Sequence, residues 1–492
     1  MNFTSDGPKA SVGNARDIEK AAGLINNSLQ GFNPYLPSWE YIPDGEPYVF
    51  GDRVYVYGSH DYFNGAVFCL GDYVCYSAPV NDLRDWKYEG VIYESTQEPE
   101  NPDRHGCLYA PDVTQGPDGR YYLYYVLDKL DIVSVAVCDT PAGKYKFLGY
   151  VHYPDGTLLG RKAGDEPQFD PGVLTEGDVT YLYTGFCGQT DKSRHAAMYV
   201  KLDKDMLTIL DGVKFIAPGK MYSDGTGFEG HAFFEAPSIR KRGDLYYFVY
   251  SSEVMHELCY ATSEYPDRDF KYGGVIISNC DIGIDSYKPA DKPTCYGGNN
   301  HGSIIEINNE WYIFYHRQTN GNWFSRQGCL EKIEFLPDGS IKQAEITSCG
   351  ANNGPLNDIA EYPAYIVCNI FGDGNKDLYI NTNVPYVSQD GADGDHNIGY
   401  IKNITPGYTL GFKYFDLKNV KGIYVLTQGY GHGYFEVRTK IDGPVLGKVD
   451  VDFSDLDRYS EGSIEETSGI NAIYLTYCGD GNIRLKSFGF IH

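Results

Sequence analysis

Five polar residues stand at matching places ahead of five copies of one short motif: Asp44 in PDGEPYVF, Tyr109 in LYAPDV, Asp170 in FDPGVL, Glu235 in FEAPSI and His301 in NNHGSI. Three of the five are carboxylic acids. Carboxylates brought to one point repel one another, and burial raises their pKa values, so a folded chain rarely gathers them without a task. Glu235 follows two aromatic residues, Phe233 and Phe234, a setting that would desolvate it. Tyr109 and Phe169 suit stacking on a ligand or shaping its subsite, although core packing is the commoner role of either taken alone. A lone histidine at a strand start is more often a satisfied structural group than a catalyst, and only its place in the series singles out His301.

The motif that follows these residues places the elements. It reads GDRVYVY at Gly51, DGRYYLY at Asp118, GDVTYLY at Gly177, GDLYYFV at Gly243 and NNEWYIF at Asn308, with tyrosines at Tyr55, Tyr122, Tyr181, Tyr247 and Tyr312. The intervals of 67, 59, 66 and 65 residues mark a repeat, and each copy is a tight turn entering an alternating strand. The windows are short, rich in Tyr, Val, Ile and Leu, and bounded by Gly and Asp, which excludes a helical solenoid. A five-bladed β-propeller with four strands per blade is predicted. In such a ring the first strand of every blade lines the axis, so the five strand starts aim Asp44, Tyr109, Asp170, Glu235 and His301 at one place.

The chain has 492 residues, 42% hydrophobic and 15% aromatic, enough for more than one core. Its net charge of −26 argues against nucleic acid or an anionic membrane as partner and favours a neutral ligand. Twelve cysteines lie scattered without metal spacing, most inside apolar strands such as those of Cys138 and Cys368, which fits buried thiols in a reducing compartment. The opening thirty residues lack an apolar secretory core, so a cytoplasmic protein is expected. The predicted organisation is an N-terminal arm over 1–30 with one short helix, the propeller over 31–346, a linker over 347–358 and a β-sandwich over 359–492. All four tryptophans precede the linker, which leaves the sandwich tyrosines such as Tyr386, Tyr400 or Tyr430 for any stacking on sugar. Asp390, Asp393 and Asp395 form an acidic turn without the spacing of an EF-hand, and a solvated turn is expected there.

Asp44 before a turn and strand, Asp170 in FDPGVL, Glu235 in FFEAPSI and His301 in NNHGSI, on evenly spaced blades, resemble glycoside hydrolase family 43 across roughly residues 33 to 346. The tail GINAIYLTYCGDGNIRLKSFGFI resembles carbohydrate-binding module family 6 more loosely. The first resemblance implies Glu235 as general acid, Asp44 as the general base that activates water, and Asp170 as a third acid that keeps Glu235 protonated and orients it. Gly45 and Glu46 stand where many members have proline directly after the aspartate, which makes Glu46 a rival for the base. The resemblance further implies Arg326 near the sugar and the third acid, and a calcium ion held mostly by water near His301. His60 and Asp61, which follow the first blade's second strand, are placed to reach the pocket rim.

The activity expected from this resemblance is inverting, exo-acting release of α-L-arabinofuranosyl residues from neutral pentose oligosaccharides derived from arabinoxylan or arabinan. A β-D-xylosidase or a bifunctional enzyme is the alternative, because the two sugars can be overlaid in one pocket. A non-catalytic sugar-binding propeller would tolerate amides in place of its acids. A retaining enzyme of the sucrose and fructan type would need a WMNDPNG-like opening, an Arg-Asp-Pro and a Glu-Cys pair, and only Phe169-Asp170-Pro171 approaches any of these.

Overall fold

The computed structural model describes residues 30–372 and 380–492; the short helix expected within the N-terminal arm lies outside them. The described residues contain strands, four short 3-10 turns and no α-helix. Five antiparallel four-stranded meanders follow one another, opening with Glu46–Phe50, Leu108–Gln115, Gly172–Glu176, Phe233–Arg242 and Ser303–Ile307. These five strands neighbour one another in sequence around the axis, and a parallel bridge between Gly45 and Gly302 joins the first blade to the fifth. The predicted five-bladed propeller is therefore the observed one.

The repeated motif has a backbone cause. Each blade turns from its first strand to its second through left-handed residues: Gly51, Gly119, Gly177 and Gly243 in four blades, and Asn308 and Asn309 in the fifth. Glycine adopts that conformation without steric cost and asparagine tolerates it, which is why the motif opens on GD, DG or NN. The motif tyrosines then fall in the second strands, Arg53–Tyr57, Tyr121–Leu127, Val179–Thr184, Leu245–Ser252 and Glu310–Gln318. Gly172 packs so closely on blade four that a Cβ there would lie 2.1 Å from the Pro237 carbonyl oxygen, so the inner ring depends on a residue without a side chain at that point.

Below the strand starts, the axis is closed by a polar layer drawn from all five inner strands. Arg240 donates to Glu46 Oε2 at 2.7 Å and lies 4.3 Å over the Tyr48 ring. The Tyr48 hydroxyl donates to Asp112 at 2.7 Å, the Val173 amide donates to the other Asp112 oxygen at 2.7 Å, and Ser238 bridges Glu46 to Ser303.

The C-terminal region is a β-sandwich built on two long, bent strands, Thr409–Gly429 and Ser454–Gly479. Register shifts let the two ends of the first of these take different neighbours: Thr409 to Gly411 pairs with Asn369–Phe371, whereas Gly422 to Gly429 pairs with Ile483–Ile491. Leu410, Phe412, Phe435, Leu475, Leu485 and Phe488 fill the space between the layers, and the same apolar cluster continues into blades four and five through Ile276, Ile304 and Ile313. Lys413 is wholly buried between Asp281 at 3.1 Å and Glu345 at 2.8 Å, while Arg317 of blade five donates to the carbonyl oxygens of Val367 and Cys368. The segment 347–358 is packed between the two bodies, with Ser348 and Leu356 buried. Of the sandwich tyrosines considered for stacking, Tyr386 and Tyr400 are buried and Tyr430 is 71% exposed. All twelve cysteines are free, and nine of them are buried. No helix among the described residues is long and apolar enough to cross a membrane.

Candidate active site

At the end of the axis where the inner strands begin lies a cavity of about 240 Å³, walled by Asp44, Phe68, Tyr109, Phe169, Asp170, Phe234, Glu235, Met255, Asn299, His301, Gln318, Trp323 and Arg326. All five residues singled out by their place in the repeat line it. Asp44 and Asp170 hold left-handed backbone at φ 58° and 45°, and so does Ala236, next to Glu235, at 64°. Such conformations cost about 1–3 kcal/mol for a residue with a side chain and persist only where the surroundings enforce them. Here they turn the backbone at three of the five inner strands, where Asp44, Asp170 and Glu235 face the cavity.

The acids sit in different electrostatic settings. Burial alone would raise the Asp44 pKa, but Arg326 with His316 and His301 outweighs it and holds the carboxyl well below the usual range. The Arg326 Nη1 donates to Asp44 Oδ1 at 2.9 Å, and the His316 ring Nδ1 lies 3.1 Å from the same oxygen. Glu235 is pushed the other way, up to about 8, by burial first and by the charge of Asp44 second, with Arg326 opposing. Asp170 is also raised, by burial and by repulsion from Glu235 and Asp44, although its Oδ2 accepts a 3.2 Å hydrogen bond from the Ala236 amide. One carboxyl is thus kept ionised and another kept protonated at neutral pH within a single cavity. That pairing can give a proton to one atom of a ligand and withdraw one from another.

Glu46, the rival to Asp44, is buried in the closed layer below, paired with Arg240, and does not line the cavity. His60 does not line it either: its Nδ1 is 3.0 Å from the Asp72 carbonyl oxygen and its ring packs edge-on to Tyr62. The inward-facing residue of that pair is Asp61, which accepts from Arg326 Nε at 2.8 Å and Nη2 at 3.1 Å. Arg326 is therefore clamped between Asp44 and Asp61. Tyr109 and Phe169 face each other across 5.5 Å on the cavity wall.

Phe68, Met255, Asn299, Gln318 and Trp323 complete the wall and His316 backs Asp44, and none was expected from the repeat. Phe68, Met255 and Trp323 stand in connections between second and third strands. His60 and Asp61 occupy the same connection in blade one, so the position was legible even though the residues were not.

His301 is buried, with Nδ1 3.8 Å from Asp44 and 3.7 Å from Asp170, and burial first pushes its pKa down to about 4. Calcium takes about six to eight oxygen ligands. Among the described residues the one compact group of three ligating side chains is His231, Glu257 and Cys259 in blade four, where Glu257 Oε1 already accepts from His231 and Ser252 at 2.6 Å each. Beside His301, the buried His316 Nε2 has no protein hydrogen-bond partner. These surroundings fit an ion held by one imidazole and otherwise by water, and do not form a protein cage.

Comparison with known proteins places this geometry. Residues 42–341 match the pattern described as glycosyl hydrolases family 43. A "xylosidase/arabinosidase" of Thermoclostridium stercorarium is 63% identical over 466 residues, covering 93% of this chain and 98% of that protein. An "arabinoxylan arabinofuranohydrolase" of Paenibacillus polymyxa is 25% identical over 508 residues, covering 96% of this chain and 74% of the relative. Among solved structures, a Bacillus subtilis arabinoxylan arabinofuranohydrolase in complex with cellotetraose superposes with a TM-score of 0.51 at 21% identity, over 94% of this chain and 97% of that one; the likeness is one of fold.

Proposed function

The chain belongs to glycosyl hydrolase family 43 and is a glycoside hydrolase, and from that premise we propose that it releases terminal α-L-arabinofuranosyl residues from arabinoxylan-derived or arabinan-derived oligosaccharides with inversion. Glu235 is the general acid that protonates the leaving oxygen. Asp44 is the general base that takes a proton from the attacking water. Burial and the charge of Asp44 keep Glu235 protonated, Asp170 orients it by accepting from the amide of the next residue, Ala236, and Arg326 keeps Asp44 ionised. The observation that carries this reading is the opposite displacement of two carboxyls in one cavity, Asp44 downward and Glu235 up to about 8.

Further support comes from placement. Asp44 opens blade one and Glu235 lies in the inner strand of blade four, with blade five between them, so the acids approach the axis from different sides. Single displacement by water asks for carboxyls about 6.5–9.5 Å apart on opposite faces of the sugar. The cavity, at about 240 Å³, is small for a ligand pocket, which suits a chain end over a through-running polymer. Tyr109 and Phe169 supply aromatic surface to the sugar. His301 would hold a calcium ion through its ring, and the ion would add positive charge that favours ionised Asp44.

A β-D-xylosidase, or an enzyme with both activities, is the second reading. It is favoured by the double name of the Thermoclostridium stercorarium relative. Hydrolysis of nitrophenyl α-L-arabinofuranoside and nitrophenyl β-D-xyloside side by side separates the two: kcat/KM is expected to be higher on the arabinofuranoside, and a reversed ratio would establish the xylosidase.

A further inference from the structure

The acidic turn of the sandwich does not simply face water. Its Asp393 carboxylate accepts a 2.7 Å hydrogen bond from the Phe63 amide of blade one, and Gln389 Oε1 accepts from the Tyr41 hydroxyl at 3.4 Å. Phe63 is two residues beyond Asp61 and five before Phe68. It is buried and stacks on Tyr41.

The held segment is tied in turn to the loop 319–325 of blade five. Ser325 Oγ accepts from the Asn64 amide at 3.1 Å and donates to the Tyr62 carbonyl at 2.9 Å, and Asn320 Nδ2 donates to Asn64 Oδ1 at 3.2 Å. Phe324 meets Phe68 edge-on at 4.7 Å, and Phe68 carries the Arg326 guanidinium on its face at 4.6 Å. The sandwich grips this second loop directly as well. The Val387 amide donates to the Thr319 carbonyl at 2.8 Å, and Gly321 is packed so tightly that a Cβ would lie 3.1 Å from the Thr382 and Tyr386 side chains.

We propose that the sandwich is a working part of the active site, with Asp393 a positioning residue: it fixes the 61–71 loop and, through it, the loop that presents Trp323 at the cavity rim. This rests on the reading that the axial cavity is where the glycoside is cleaved. Between the ends fixed by the Asp61–Arg326 clamp and the Phe68–Phe324 contact, the two loops of blades one and five otherwise hold each other through a few partly buried hydrogen bonds, and such segments open at low free-energy cost. A carboxylate anchored on a separate folded body lowers their freedom before substrate arrives, so less ordering remains to be done on binding. The effect should fall on binding by Phe68 and the exposed Trp323 and much less on the proton transfers, because Glu235 stands on blade four and Asp61, which clamps Arg326 beside Asp44, is held separately by its own amide's bond to the Tyr41 carbonyl and by the Cys69 amide.

The test uses the full chain and a defined pentose oligosaccharide that the enzyme cleaves. Asp393→Ala is expected to raise KM about tenfold, the scale of one charge-assisted hydrogen bond, with kcat within about twofold. Hydrogen exchange over 61–71 should quicken, the basic limb of the pH profile should stay in place, and Asp393→Asn, which keeps an acceptor oxygen, should recover most of the KM. Wild-type KM and exchange in Asp393→Ala would overturn the proposal, and so would equal losses in kcat and KM with a lowered Tm, which would assign the contact to stability alone. Glu235→Gln is assayed in parallel. If it keeps full activity on the natural substrate, the axial-cavity reading fails and this proposal with it; if it is inactive while Asp393→Ala is silent, only the role of the sandwich is overturned.

Discussion

Two sets of buried acids share the propeller axis, one residue layer apart, and they differ in what lies in front of them. Glu46 and Asp112 face Arg240, Tyr48, Ser238 and backbone amides, and neither lines the axial cavity. Burial raises both pKa values, with Arg240 opposing in each case, and one guanidinium serves two acids. Asp44, Asp170 and Glu235 are perturbed as well, yet they wall a space. A displaced pKa therefore does not by itself mark chemistry, since structural ion pairs perturb acids too. What sets the upper layer apart is the opposite sign of two shifts across a cavity that a sugar can enter. The lower layer is paired structure that does not line that cavity.

The sharpest way to break this comparison is to remove one acid from each layer. Asp44→Asn should lower kcat by about a thousandfold on every substrate, the scale of a lost general base. Glu235→Gln should cost as much on natural glycosides and far less on aryl glycosides with very good leaving groups, which depart without a proton. Steady-state assays on both substrate types read this. Glu46→Gln should leave kcat per folded molecule near wild type while lowering stability by about 3 kcal/mol, because it strands a buried guanidinium. Denaturant unfolding measures that loss, and a dead but stable Glu46→Gln protein would move the base one layer down.

The pH profile sharpens the same contrast at a smaller scale. A general acid works only while protonated, so kcat/KM should fall as pH rises through about 8, where Glu235 loses its proton. Below neutrality, activity should persist until Asp44 takes up a proton, and Arg326 holds that event well under the usual carboxylate range. Replacing Arg326 by lysine loses the forked contact to Asp44 and Asp61 and should shift the acidic limb upward, toward neutral pH. Chelation of a water-held ion near His301 should lower Tm by no more than a few degrees; a metal analysis with no ion bound would remove that ion from the account.

The division between what could and could not be anticipated has a physical cause. Asp44, Tyr109, Asp170, Glu235 and His301 share one phase of a repeat, and strand geometry carries that phase into space, so their convergence could be deduced from spacing. Phe68 and Trp323 stand in connections of unequal length, 58–72 and 319–325, and without a common phase nothing in the sequence ties them to the axis. His316 sits inside a strand rather than at its start, on a face that alternation marks only as buried. His60 and Asp61 illustrate the limit of resolution. The pair was placed at the right connection, but which side chain turned inward depended on Arg326, a partner 265 residues away from Asp61. The sandwich could be foreseen as a fold, whereas the hydrogen bond from Phe63 to Asp393 joins positions 330 residues apart and left no pattern to follow.

The central claim is that Asp44 activates water against a sugar whose leaving group is protonated by Glu235, with no covalent intermediate. Proton NMR during the first minutes of hydrolysis of an α-L-arabinofuranoside tests it most directly. The β anomer of arabinose should appear first and then mutarotate toward equilibrium. First appearance of the α anomer, or transfer of the sugar to added methanol, would mean that a glycosyl-enzyme forms and would contradict the assignment of Asp44 as the base.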